Sequence, residues 1–172
     1  MKLISAILFA VSFAASFAFN AQAANPNPDA RQVKATHDLL VAMQAEKMMR
    51  MTAGMSRYPS EAERKKVMDK VTATPSETIY AGLATPVARL LSPETVTEMT
   101  RFYQSSYGQK VLNNIYNSGA QLYPSVPKAT PAEQAELKKP AYIKADVEFK
   151  ANERAIHHEV FVLLKQIINP KK

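Results

Sequence analysis

The sequence predicts an all-α protein: a single-domain bundle of five or six helices, with long first and last members. Three observations carry that prediction. No stretch shows the sustained period-two alternation of a half-buried strand. Helix-start signals, a hydroxyl side chain followed by Pro or by Glu three residues on, recur along the chain. The segment from about Pro140 to Asn169 carries one continuous apolar stripe at helical spacing.

The 172 residues include no Cys and no Trp, 4 Gly and 11 Pro, and carry a net charge of +7. Without Cys there are no disulfides, no thiolate metal ligands and no cysteine nucleophile, and so few glycines leave no phosphate-cradling loop. The N-terminal segment has Lys2 at its start, an apolar run from Leu3 to Phe19 and an Ala21-Gln22-Ala23 site, the order of a secretory signal peptide. Cleavage after Ala23 is expected, giving a periplasmic or secreted protein. Without a Cys after the cleavage site a lipid anchor is not expected. Residues 24–32 then form an extended lead-in, 33–169 a single helical domain and 170–172 a tail.

Asn25-Pro26-Asn27-Pro28 is stiff and extended, because each Pro fixes its own φ and disfavours helix in the residue before it. A helix is expected from near Asp29. At 100° per residue Val33, Leu40, Met48, Met51 and Met55 fall within about 80° of one another, which describes one amphipathic helix of about seven turns ended by Gly54 to Pro59. Further starts follow at Ser60…Glu63, Thr74-Pro75-Ser76-Glu77, Ser92-Pro93-Glu94 and Thr130-Pro131-Ala132-Glu133. Pro86 should kink or end its helix near Thr85. Tyr123 to Pro131, with three prolines, reads as the longest loop. In the last helix Tyr142, Phe149, Ile156, Val160, Leu163, Leu164 and Ile167 form the stripe, with Asp146, Glu153 and His157 on the same side. A carboxylate there must reach solvent or meet a cation, so Glu153 is expected to pair with a cation of another helix, Arg89 or Arg101 first among the candidates. The expected core includes Val33, Leu40, Met51, Met55, Phe149, Ile156, Val160 and Ile167.

Leu91-Ser92-Pro93-Glu94, followed by Phe102-Tyr103-Gln104-Ser105-Ser106-Tyr107-Gly108-Gln109-Lys110, resembles the central signature of the domain-of-unknown-function 2059 family, exported helical proteins of Gram-negative bacteria without an established activity. The signature reads Phe-Tyr, any residue, Ser, Pro, any residue, Gly, any residue, Lys, and is matched at Phe102, Tyr103, Ser105, Gly108 and Lys110. The segment from Asp38 through Met55 is also similar to the family's upstream helix, so the resemblance runs from about residue 33 to 122. Ser106 stands where the family usually has Pro, and Thr95 where it usually has an acidic residue. The resemblance implies a helical fold and an exported location. Read from the residues alone, Ser105 caps a new helix, one helix turns directly into the next, and Gly108 and Gly119 lie on an apolar face where another helix approaches closely.

Chemistry has few candidates. Met48, Met51 and Met55 recur on successive turns; core packing by an adaptable side chain is the leading reading of them, and three thioethers offered to Cu(I) the lesser one. His37 lies eleven residues before Met48, about 16 Å along a helix, too far to complete such a site. Glu153 and His157, four apart, have the spacing of a metal pair or an acid–base pair, but His157-His158-Glu159 is not the zinc-protease pattern. No Gly-x-Ser-x-Gly elbow is present. No catalytic residue and no cofactor is assigned. The leading expectation is a non-enzymatic binding or accessory factor of the cell envelope, its partner another exported protein or an envelope component. A weak contact with an anionic membrane surface is consistent with the positive charge, and nucleic acid is not expected as a partner after export. Two alternatives stand beside it: a neutraliser or chaperone-like partner of another exported protein, and a small metal-binding protein or hydrolase using Glu153 and His157.

Overall fold

A computed structural model describes residues 27–117 and 126–170, so the leader, Gly119 and the start of the expected loop lie outside the described residues. Every regular element among them is a helix: α1 (Ala30–Ala42), α2 (Ala45–Met55), α3 (Glu61–Ala73), α4 (Ser76–Ala88), α5 (Pro93–Gln104), α6 (Ser106–Asn117), α7 (Pro131–Leu137) and α8 (Pro140–Ile168). The all-α class holds, with eight helices described rather than five or six.

The extra helices arise chiefly because the expected long first helix is two. Asp29 caps α1, its carboxylate accepting from the Gln32 backbone N–H at 2.8 Å. The chain then turns at Gln44, which takes a left-handed conformation (φ 55°) although no Gly or Pro marks the place. Packing explains the break. In α1 the core takes Gln32, Thr36, Leu39 and Leu40, whereas in α2 it takes Ala45, Met48, Met49 and Ala53. On one uninterrupted helix those two sets would face roughly 140° apart, so a straight helix could bury only one of them. The turn brings both inward. Met55 consequently ends outside, 79% exposed, and Met51, like Val33 and Ile167, is half-buried rather than core. Leu40, Phe149, Ile156 and Val160 are buried as expected.

Other starts divide. Ser60 and Ser92 accept from the N–H groups of Glu63 and Thr95, and Thr130 with Glu133 forms a complete reciprocal capping box. Thr74 does not open α4. Its hydroxyl donates back to the Lys70 carbonyl and closes α3, while Glu77 turns to His37 at 2.8 Å. Pro86 does not end α4 at Thr85 either; the helix continues to Ala88. The bond that Pro86 cannot donate is the one to the Gly82 carbonyl, on an exposed residue that water can reach.

The bundle closes as α1 packs on α4 and α5, and α8 packs against α5, α4, α2 and α3. Leu39, Leu40, Met49, Ile79, Leu83, Val96, Met99, Ile156 and Leu164 form the centre. Two polar ties pass through it. The buried Gln32 amide donates to the Ala88 and Leu91 carbonyls, both at 3.0 Å, which satisfies the end of α4 where its own helix no longer can. The Glu148 carboxylate of α8 accepts from the Ser92 N–H (2.6 Å), the Ser92 hydroxyl (2.8 Å) and the Thr95 hydroxyl (2.7 Å), anchoring α8 to the start of α5.

Candidate functional site

Residues 102–110 build a corner. Phe102 and Tyr103 end α5, and Ser105 accepts from the Gly108 N–H at 3.0 Å, so that α6 starts within two residues. The Phe102 carbonyl accepts from both the N–H and the hydroxyl of Ser105. A Cβ on Gly108 would lie 2.0 Å from that carbonyl oxygen, so the close approach is to the preceding turn of the chain rather than to a crossing helix. Phe102 meets Tyr103, Tyr107 and Tyr142 with ring centroids 5.0, 6.2 and 5.2 Å apart, and Tyr103 meets Phe149 at 6.0 Å. The corner is thereby keyed into α8 through its aromatic rings.

The motif's polar groups hold α7, a helix with no buried residue. Glu133 accepts from the Lys110 ammonium at 2.9 Å and the Ser106 hydroxyl at 2.7 Å. Glu136 pairs with Arg101 at 2.7 Å. The Thr130 backbone N–H, Ser106 and Lys110 together hold the Glu133 carboxyl down at about 2. Between α7, the corner and Tyr142 lies a cleft of about 280 Å³ whose charges are already matched to one another.

The second concavity gathers what the sequence left scattered. α6 leans on α5 and touches α2 only lightly, so a groove of about 250 Å³ opens between α2, α6 and α8. Met43, Met48 and Met51 form one wall, Leu112, Ile115 and Tyr116 another, and Tyr103, Phe149 and Ile156 the floor, with Glu153 and His157 at the rim. Met55, turned to solvent, takes no part. Tyr116 is fixed by donating to the Met43 carbonyl at 3.0 Å, while Tyr103 has no hydroxyl hydrogen bond among the described residues. Burial, reinforced by neighbouring phenols and carboxylates, pushes the Tyr103 hydroxyl well above the ordinary tyrosine range, so at neutral pH it is a donor inside an apolar groove.

Glu153 corrects an expectation. Among the described residues it has no cationic partner on another helix; its side chain is 62% exposed, and its one close ionic neighbour there is His157 at 3.9 Å. Arg101 is committed to Glu98 and Glu136. A separation of 3.9 Å exceeds a hydrogen bond, and among the described residues no other side chain is bonded to the His157 ring. Among the described residues no three His, Asp or Glu side chains converge as a metal-ligand set. Helical periodicity missed Met43, Leu112, Ile115 and Tyr116 as groove residues, because that wall exists only through the turn at Gln44 and the offset of α6. No family model, no curated protein and no solved structure matches the chain.

Proposed function

We propose that the protein is an exported factor of the cell envelope that works by binding, with the groove between α2, α6 and α8 as its recognition site and no reaction of its own. One observation carries this reading: Met, Tyr and Phe side chains from three separated parts of the chain line a single open groove with a protonated phenol inside and Glu153 and His157 at its edge. Pliable thioethers beside rigid rings accept apolar side chains of varied shape, which is the chemistry of a site for a hydrophobic segment of another exported polypeptide. The export part of the reading rests on Lys2, the run Leu3 to Phe19 and the Ala21–Ala23 site, together with the resemblance of residues 102–110 to a family of exported helical proteins.

Two measurements test it. The mass of the protein isolated from the cell envelope should place its N-terminus at Ala24, and a chain that still begins at Met1 refutes export by cleavage. A photocrosslinking residue at Ile115, on the groove wall, should capture a discrete polypeptide that the same residue at exposed Thr78 does not, and Met51→Glu should abolish that capture. Capture that is equal from both positions, or indifferent to Met51→Glu, refutes the groove.

A further inference from the structure

The groove uses one side of α8. Another side faces solvent, and its side chains are ordered in a way that burial does not explain. Ile143, Val147 and Phe161 are 50%, 53% and 38% exposed. At 100° per residue they fall on one line with Lys150, Arg154, His158 and Lys165, all exposed. The line spans about 33 Å at 1.5 Å per residue, along a single unbroken helix. No carboxylate lies on it: Asp146, Glu148, Glu153 and Glu159 stand to its flanks or behind, roughly 80° or more from its centre. Lys150 reaches sideways to Asp146 at 2.7 Å, whereas Arg154 and Lys165 pair with no carboxylate among the described residues. The Lys165 ammonium lies over the Phe161 ring, 4.7 Å from its centroid, so cation and ring stand together on this face.

We infer that this face of α8 is a peripheral contact for an anionic lipid surface. Apolar side chains in line with unpaired cations match the boundary between acyl chains and phosphate headgroups, where each type of side chain finds its own environment. The face is a ridge and not a hollow. Single side chains standing along it give a protein partner no pocket to fill, while a bilayer surface yields around each of them and is met by all of them at once. The contact is parallel to the membrane, and among the described residues no helix is long and apolar enough to cross one. The inference rests on the proposed envelope location for the membrane it meets, but it shares no residue with the groove, and it is tested in a purified system where failure of the crosslinking experiment has no bearing.

The protein as isolated from cells is floated with vesicles of phosphatidylglycerol and phosphatidylethanolamine, or of phosphatidylcholine alone, at low and high salt. Binding is expected to the anionic vesicles only, and to weaken with salt. Arg154→Gln with Lys165→Gln should reduce it roughly 25-fold, about fivefold for each cation. Ile143→Ser with Val147→Ser should reduce it on the order of tenfold. Lys65→Gln with Lys66→Gln, which removes two exposed cations from α3, should leave it unchanged. All variants share one N-terminus, so any contribution from that segment cancels. Equal binding to both kinds of vesicle, absence of binding, or an equal loss in the α3 variant overturns the inference. Retention on an immobilised acidic polypeptide without vesicle binding assigns the face to an acidic protein and overturns it as well.

Discussion

Replacing Gly108 by Ala, normally a favourable change in a helix, should destabilise this protein. An added methyl group in a helix interior stabilises by about 1 kcal/mol, because Gly loses more backbone freedom on folding than Ala does. At Gly108 that methyl carbon would lie 2.0 Å from the Phe102 carbonyl oxygen and 2.8 Å from the Phe102 carbonyl carbon and the Tyr103 Cα. These are backbone atoms held by the Ser105 N–H at 3.0 Å and the Ser105 hydroxyl at 2.6 Å, and they cannot rotate aside as a side-chain end does. The corner between α5 and α6 must open instead, at about 1–3 kcal/mol by the measure of other overpacked sites, which lowers the melting temperature by roughly 3–10 °C for a domain of this size.

Two other glycines calibrate the experiment. A Cβ on Gly54 meets nothing within 4 Å, so Gly54→Ala should show the ordinary gain of about 1 kcal/mol. One on Gly82 meets the Leu163 methyls at 2.9 Å, the movable end of a side chain, so Gly82→Ala should fall between the two. Thermal unfolding followed by far-ultraviolet circular dichroism ranks the three variants. If Gly108→Ala melts at or above the wild-type temperature, the reading of the motif as a sterically closed corner is wrong.

Glu148→Gln should cost about 1.5–3 kcal/mol in a urea titration, because one carboxylate serves three donors, whereas Glu153→Gln should stay within about 0.5 kcal/mol; the reverse order would return Glu153 to the structural role that its place on the helical stripe indicates. The depressed Glu133 carboxyl makes the capping and docking of α7 pH-dependent: the contribution is fully present above the ordinary value of 4.5 and is lost as pH falls through about 2, so backbone amide shifts of α7 in an NMR titration should move well below 4.5, and a midpoint at 4.5 would exclude the hydrogen bonds of Glu133 to the Thr130 N–H, Ser106 and Lys110. Gln44→Gly should stabilise by up to about 1 kcal/mol, since only Gly adopts the left-handed conformation without strain, and Gln44→Val should destabilise by a similar amount; loss of stability in the Gly variant would mean that the Gln44 side chain, 3.2 Å from Gln109, matters more than its backbone.

Local signals survived folding where a single stretch of chain decides the outcome. Helix α8 begins at the proline expected of it and ends within a residue of the expected Asn169, and the Thr130 box and the Ser105 cap form as their spacing indicates. What the sequence could not display depends on neighbours. The turn at Gln44 has no breaker residue and exists because two faces of one segment must reach the same core. Thr74 satisfies the helix behind it because Pro75 already occupies the cap position of the next. Glu153 belongs to the apolar side of α8 by angle, but α6 does not close over it, while Glu148, well off that side, is the carboxylate that is tied, because the start of α5 happens to meet it. A helical wheel gives the side of a residue and is silent on the gap beside it.

That difference bears on where function should be sought. Around the corner motif nearly every polar group already serves the fold, since Ser105 caps α6, Ser106 and Lys110 hold Glu133, and Arg101 holds Glu98 and Glu136. Side chains so occupied have little left to offer a ligand, because each new contact must first break an existing one. At the groove the balance is opposite. The Tyr103 hydroxyl is bound to no described residue, Glu153 and His157 face each other across 3.9 Å without a hydrogen bond, and half-buried Met51 stands across the groove from half-exposed Ile115. A binding surface is recognised by groups whose interactions the fold has not used, and by that measure Ser105, Gly108 and Lys110 of the motif belong to the architecture, while Tyr103 lends its hydroxyl to the groove proposed as the recognition site.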